Sequence, residues 1–172
     1  HMEWYEGMGG GMREIIFRGK PTASVLNEED LQDCMFDIVD GFVYGNLIAD
    51  EHEPTIVGKV VDSDWDYCSM EWWCPVVKET VGQFTGLLDK HGRKIFENDI
   101  LCANTGDKWE SGVHSKYLQY AQVVYNSQKA RFEIFGKLGE SHKALDQVIH
   151  KYHATVVGNI YNNPDLMKEI IK

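Results

Sequence analysis

"VGQFTGLLDKHGRKIFENDI", residues 81–100, is the most patterned stretch of this chain. Gly82 follows the β-branched Val81, where a missing side chain permits a bulge or a close backbone contact. Asp89-Lys90-His91-Gly92 reads as a tight turn, because an Asp side chain bonds its own following backbone and Gly takes a positive φ. Lys94-Ile95-Phe96 re-enters an extended segment, Glu97-Asn98-Asp99 turns again, and Ile100 and Leu101 continue the chain. The rhythm is strand, tight turn, strand, tight turn, strand, which suits a twisted sheet curling into a small barrel. Gly82, Gly86 and Gly92 lack dinucleotide-loop spacing and no Gly-Lys-Ser/Thr follows, so a phosphate cradle is excluded. The stretch turns corners.

Towards the N-terminus, "REIIFRGK" (13–20) is an apolar-centred run closed by Gly19 and Pro21, a first strand. In "NEEDLQDCMF" (27–36), Asn27 suits an N-cap, Glu28 and Glu29 sit where the helix dipole favours acids, and Leu31, Cys34, Met35 and Ile38 recur near helical spacing. This predicts a short helix. "GFVYGNLIAD" (41–50) and "TIVGKVV" (55–61) are rich in β-branched and aromatic residues and read as strands. In "WDYCSMEWWCPVV" (65–77), Trp65 and Tyr67 share a strand face, and Pro75 confines the later part to an edge or a strand end.

Towards the C-terminus, "YAQVVYN" (120–126) and "RFEIFGK" (131–137) read as strands. Arg131 and Glu133 alternate with Phe132 and Ile134, the pattern of a half-buried strand. "SHKALDQVIHKYH" (141–153) leaves two readings open. Ala144, Leu145, Val148, Ile149 and Tyr152 suit a helix, while the tail runs into the strand "ATVVGNIY". "NNPDLMKEIIK" closes with a helix: Asn163 as N-cap, Pro164 at the first helical position, then Leu166, Met167, Ile170 and Ile171. "TIVGKV", "ETVGQF" and "TVVGNI" look like reused strand-Gly-strand corners, too short to establish a repeat.

At these residues the chain resembles the phage and prophage YopX-like proteins. Their wording over the opening stretch is close to V-G-Q-[FY]-T-G-L-x-D-[KR]-x-G-x-x-I-[FY]-E-G-D-I. "REIIFRGK", "GFVYGNLI" and "VVGNIYNNPDLM" match further blocks in the same order, so the resemblance spans Arg13 to Met167. Asn98 stands where the family usually has Gly, and Asn tolerates left-handed geometry. The helical segment from Asn27 to Asp37 reads as an insertion in this member. The resemblance implies a mostly β fold encoded on mobile elements. It carries over no activity and no binding residue.

The 172 residues suit one domain of a mainly β class: a small twisted, barrel-like sheet with a short inserted helix and a C-terminal helix. Residues 1–11, with "HM" and "GMGGGM" ahead of Met12, read as a tag and a mis-called start that carries no fold information. Residues 12–172 then form the domain, with an N-terminal β part (12–78), a barrel part holding the signature (79–163) and the terminal helix (164–172). At 43% hydrophobic and 12% aromatic residues a real core is available. No apolar run approaches the ~20 residues of a membrane span, so no membrane is expected. Four irregularly spaced cysteines (Cys34, Cys68, Cys74 and Cys102) point to reduced, mostly buried thiols in a bacterial cytoplasm.

The chemistry-bearing residues point away from catalysis. His150 and His153 lie one helical turn apart without a third or fourth ligand nearby, and Cys68 and Cys74 lack zinc-knuckle spacing. Asp62, Asp64 and Asp66 echo a calcium loop, but Tyr67 and Trp73 stand where it needs Gly and Glu. No nucleophile-elbow or metalloprotease motif occurs. No metal, cofactor or catalytic residue is therefore assigned. A net charge of −10, from 27 acidic and 17 basic residues, repels a polyanion, and acids surround Trp65, Tyr67, Trp72 and Trp73. Trp65 and Tyr67 are expected in the core under the chain's own cover. Trp72 and Trp73 point to opposite strand faces, so one of them is the candidate contact for a protein partner or a second copy. The expected role is a non-enzymatic phage accessory protein acting through protein contacts. The alternative is a nucleic-acid module with a basic strip of Lys90, Arg93 and Lys94.

Overall fold

A strand whose neighbours supply both of its hydrogen-bonding edges can be very short, and β1 (Phe17–Gly19) is such a strand. The computed structural model describes residues 14–25, 36–50, 52–110, 113–138 and 142–171, with 107–110 and 113–117 by backbone alone. In it β1 pairs antiparallel with β2 (Val43–Ile48) on one side and with β7 (Gly82–Leu88) on the other. Beyond β2 come β3 (Thr55–Val57) and β6 (Trp73–Pro75), and beyond β7 comes β8 (Lys94–Phe96). The result is a six-stranded sheet in the order β6-β3-β2-β1-β7-β8. Pro75 ends its edge strand, where a missing N–H costs least.

The strand-turn-strand rhythm of residues 81–100 is present, but its two turns do different things. The first stays within the sheet: Asp89 Oδ1 accepts the N–H groups of His91 (2.8 Å) and Arg93 (2.9 Å), and Gly92 takes a φ of +80°. The second leaves it. Asn98, at a φ of +68°, sends the chain into β9 (Asp99–Glu110). This strand pairs with β10 (Val113–Asn126) and β12 (Thr155–Asn159), and β11 (Arg131–Gly136) completes a four-stranded sheet in the order β11-β10-β9-β12. The expected curl into one barrel is thus replaced by two open sheets. Having taken β10 and β12 as partners, β9 has no free edge for β8, and no closed barrel forms among the described residues. Gly82 sits so close to the second turn that a Cβ there would lie 2.8 Å from the Glu97 carbonyl oxygen.

"TIVGKVV" divides into β3 and β4 (Val60–Ser63), and β4 pairs with β5 (Cys68–Met70) in a hairpin outside both sheets. The ambiguous segment resolves as a helix, Leu145–Tyr152, burying Leu145 and Val148 and ending where His153 turns left-handed. The terminal helix spans Pro164–Ile171 and buries Ile170. Asn163 flanks it as expected, yet its side chain faces backwards, accepting the Asn159 N–H at 3.2 Å. The expected helix at 27–37 falls mainly on residues 26–35 and the expected start at Met12 on residues 1–13, both outside the described residues. No helix among the described residues is long and apolar enough to cross a membrane.

The core has two centres. Leu101, Val123, Ile134 and Leu138 gather with Leu145 and Val148 of the helix, and Ile95 of β8 joins them from the other sheet. Val43, Ile56, Cys74 and Val76 form the second centre, within the six-stranded sheet. Each large apolar side chain buried this way contributes about 1.5–3 kcal/mol. Cys74 and Cys102 are buried as expected. Cys68 is exposed on the hairpin, which corrects its assignment to the core, and Cys34 lies outside the described residues.

Alternation along β11 fails at one residue. Glu133, expected on the wet face, is fully covered, because the turn after β10 folds its polar groups over it. Asn126 Nδ2 and Lys129 Nζ donate to the carboxylate at 2.9 Å each, and Arg131 Nε donates at 2.8 Å. These bonds, led by Asn126, hold the carboxyl at about 2, below its ordinary 4.5. A depressed carboxylate contributes stability that is complete above the ordinary value and fades as pH falls towards the folded one. Buried Asp99 and half-buried Glu97 shift the opposite way, so a variant isolates the effect. Urea midpoints of the native chain and of Glu133→Gln, measured from pH 6 down to about pH 2, should differ most above pH 4.5 and converge in acid.

Candidate functional site

Two places gather the side chains that the sequence singles out. The first is the β4–β5 hairpin. Its strands pair only with each other, Val60 opposite Met70 and Ser63 opposite Cys68, and all their residues but Met70 are exposed. Its acids shape the tip: Asp64 Oδ1 accepts the Trp65 N–H at 2.7 Å, and Tyr67 Oη donates to Asp62 Oδ2 at 2.7 Å. That bond to the Asp62 carboxylate holds the Tyr67 phenol above its ordinary value.

Trp65 is 90% exposed and Tyr67 50% exposed, which overturns their expected place in the core. Alternation tells which residues share a face but not whether anything covers it. Trp72 and Trp73 do point oppositely. Trp72 is half-buried against Phe36, with ring centroids 5.4 Å apart, and lies over Gly58, where a Cβ would meet the indole Nε1 at 2.6 Å. Trp73, on the edge strand, is 66% exposed and is therefore the contact candidate of the pair. Together with Val60 and Val61 these rings make an apolar arm edged by Asp62, Asp64, Asp66 and Glu71, all exposed.

The second place is the junction of the two sheets. Arg18, in the middle of the six-stranded sheet, donates from Nη2 to Asp99 Oδ1 at 2.6 Å and to the Glu97 carbonyl at 3.2 Å. Its guanidinium lies between the rings of Phe42 and Phe96, 4.8 and 4.9 Å from their centroids. The other Asp99 oxygen accepts the Phe96 N–H at 2.8 Å. Both partners are buried, and burial raises the Asp99 carboxyl although Arg18 opposes the shift. Burial likewise raises the phenol of nearby Tyr44.

A cleft of about 420 Å³ opens on this pair, lined among others by Arg18, Asp40, Tyr44, Arg93, Lys94 and Asn162. The expected basic strip is thereby divided. Arg93, which donates to the Val156 carbonyl at 3.2 Å, and Lys94, paired with Glu14 at 2.6 Å, line the cleft; Lys90 is not among its lining residues. His150 and His153 meet no further ligands in a cluster of three among the described residues. Arg18 and Asp99 were missed in the sequence, although an arginine inside the apolar run "REIIFRGK" was a usable signal: a charge at the centre of a buried strand needs a partner.

The family model described as YopX protein matches residues 44–168. No curated protein matches the chain. Among solved structures, the crystal structure of protein EF1440 from Enterococcus faecalis is similar over 91% of this chain and 99% of its own, at 22% identity and a TM-score of 0.50, a likeness of fold alone.

The two places should respond oppositely to mutation. Trp65→Ala is expected to leave stability within about 0.5 kcal/mol of the native chain, the range of exposed substitutions. Asp99→Ala strands a buried guanidinium and should cost about 3–5 kcal/mol. Urea unfolding of the two variants side by side checks both.

Proposed function

The chain belongs to the YopX protein family, and on that premise we propose that it is a phage- or prophage-encoded accessory protein that binds another protein through the β4–β5 arm. The single observation that carries this reading is the near-complete exposure of Trp65 beside the exposed Tyr67 and Trp73. Exposed aromatics of this size lose more free energy to water than the polar surface usually tolerates, and they are the residues that anchor protein interfaces. The acids around them select a basic partner surface and oppose a nucleic-acid backbone. The role is non-enzymatic, and its place is the bacterial host cytoplasm, where the exposed Cys68 thiol stays reduced. The nucleic-acid alternative is weakened by the division of its basic strip and by the Glu14 carboxylate on Lys94.

The test compares the native chain with a Trp65→Ala/Trp73→Ala variant, each used to capture proteins from phage-infected host cells. A partner held by the native chain and lost from the variant, with unchanged circular dichroism, is the expected result. Identical captures by the two, or a gel shift of DNA at physiological salt, would overturn the reading. Sedimentation of both chains reports whether the partner is a second copy.

A further inference from the structure

We propose, resting on the reading of the arm as the partner-binding element, that the groove at its foot receives an apolar side chain from an extended, basic segment of the partner protein. The hydrogen-bond ladder of the six-stranded sheet does not stop where β3 ends and β6 begins. Gly58 N–H donates to the Trp72 carbonyl at 2.9 Å and Glu71 N–H to the Lys59 carbonyl at 2.8 Å. β3 thus runs into β4, and β5 into β6, as one continuous hairpin. Sheet and arm share a surface, and a hollow of about 310 Å³ opens where they join.

The hollow suits an apolar side chain. Ile16, Tyr44, Val57 and Trp72 wall it, with the exposed Lys59 and Glu71 at its rim. Both ring walls are fixed before a partner arrives, Trp72 against Phe36 and Tyr44 against Phe96, each pair with centroids 5.4 Å apart. Walls already ordered cost little to occupy. The volume lies at the small end of the ~300–1,000 Å³ of ligand sites, which suits one large side chain.

Charge decides what flanks that side chain. Lys59 and Glu71 balance each other at the rim, but Asp62, Asp64 and Asp66 follow along the arm. Asp62 accepts the Tyr67 hydroxyl and Asp64 the Trp65 N–H, and none of the three pairs with a cation among the described residues. An extended chain advances ~3.3 Å per residue, so a Lys or Arg a few positions from the apolar anchor reaches these carboxylates. The unmatched acids favour such a segment and disfavour a second copy of this chain, whose net charge is −10.

Calorimetric titration of the full chain with the synthetic peptide Lys-Ser-Lys-Phe-Lys-Ser-Lys tests this. Saturable binding is expected, about tenfold weaker when the peptide's Phe is replaced by Ser or when Asn46→Trp, at an exposed lining position, fills the hollow. Asp64→Asn/Asp66→Asn keeps the acceptor for the Trp65 N–H and should weaken binding through charge alone, and replacing each peptide Lys by Glu should abolish it. Circular dichroism establishes that each variant is folded, and the Phe-to-Ser peptide needs no variant at all. No saturable binding, or binding indifferent to the Phe or to Asn46→Trp in a folded chain, would overturn the groove assignment. The arm's own role is read separately, in the capture lost or kept by Trp65→Ala/Trp73→Ala, so either reading can fail while the other stands.

Discussion

One buried ion pair decides how the two sheets meet. Arg18 comes from the centre of one sheet and Asp99 from the first residue of the other, 2.6 Å apart and almost wholly removed from water. Taking both charges out of water costs several kcal/mol, so the pair is no simple gain in stability over apolar packing. It contributes specificity instead. Only one approach of the sheets lets the guanidinium reach the carboxylate while lying between Phe42 and Phe96, and any slip would leave a bare charge inside. Everything at the junction, the cleft included, inherits its position from that requirement.

The signature stretch then reads as the set of fittings around this pair. Asp89 uses both carboxylate oxygens, one on its own turn and the other on the Val156 N–H of β12 at 3.1 Å. Burial pushes its carboxyl up, but the three backbone N–H bonds from Arg93, Val156 and His91 outweigh it and leave it depressed. Asn98 does what a glycine could not. Besides taking the left-handed conformation, it donates to Tyr161 Oη and accepts from Gln122 Nε2, at 3.0 Å each. The departure from the usual Gly therefore adds two side-chain links where the chain crosses between sheets.

What was legible in the sequence was local. The Asp89 and Asn98 turns, the edge position of Pro75 and the terminal helix depend on residues a few positions apart, and they stand where the sequence places them. Strand partnership also depends on residues far off in the chain, such as Phe17 opposite Gln83 and Ile100 opposite Gly158, and there the reading failed. Nothing in "KIFENDI" says that Phe96 and Ile100 belong to different sheets. Glu133 looked wet because its cover comes from a turn preceding its strand, and Trp65 looked buried because alternation is silent about what lies opposite. Of the proposed contact residues only Trp73 was both anticipated and exposed; the junction cleft was half visible, in Arg93 and Lys94, without the Arg18 beneath them.

The two ends of the six-stranded sheet differ from its middle. At one end β6 is three residues long and finishes at Pro75, which has no N–H to offer; at the other, β8 presents only Lys94, Ile95 and Phe96. A strand from another molecule docking at either end would find too few hydrogen bonds to outweigh the entropy of being held there. The sheet is thus terminated rather than merely ended, and copies of this protein are hindered from joining through these two edges, even though each of them presents a tryptophan to its neighbours.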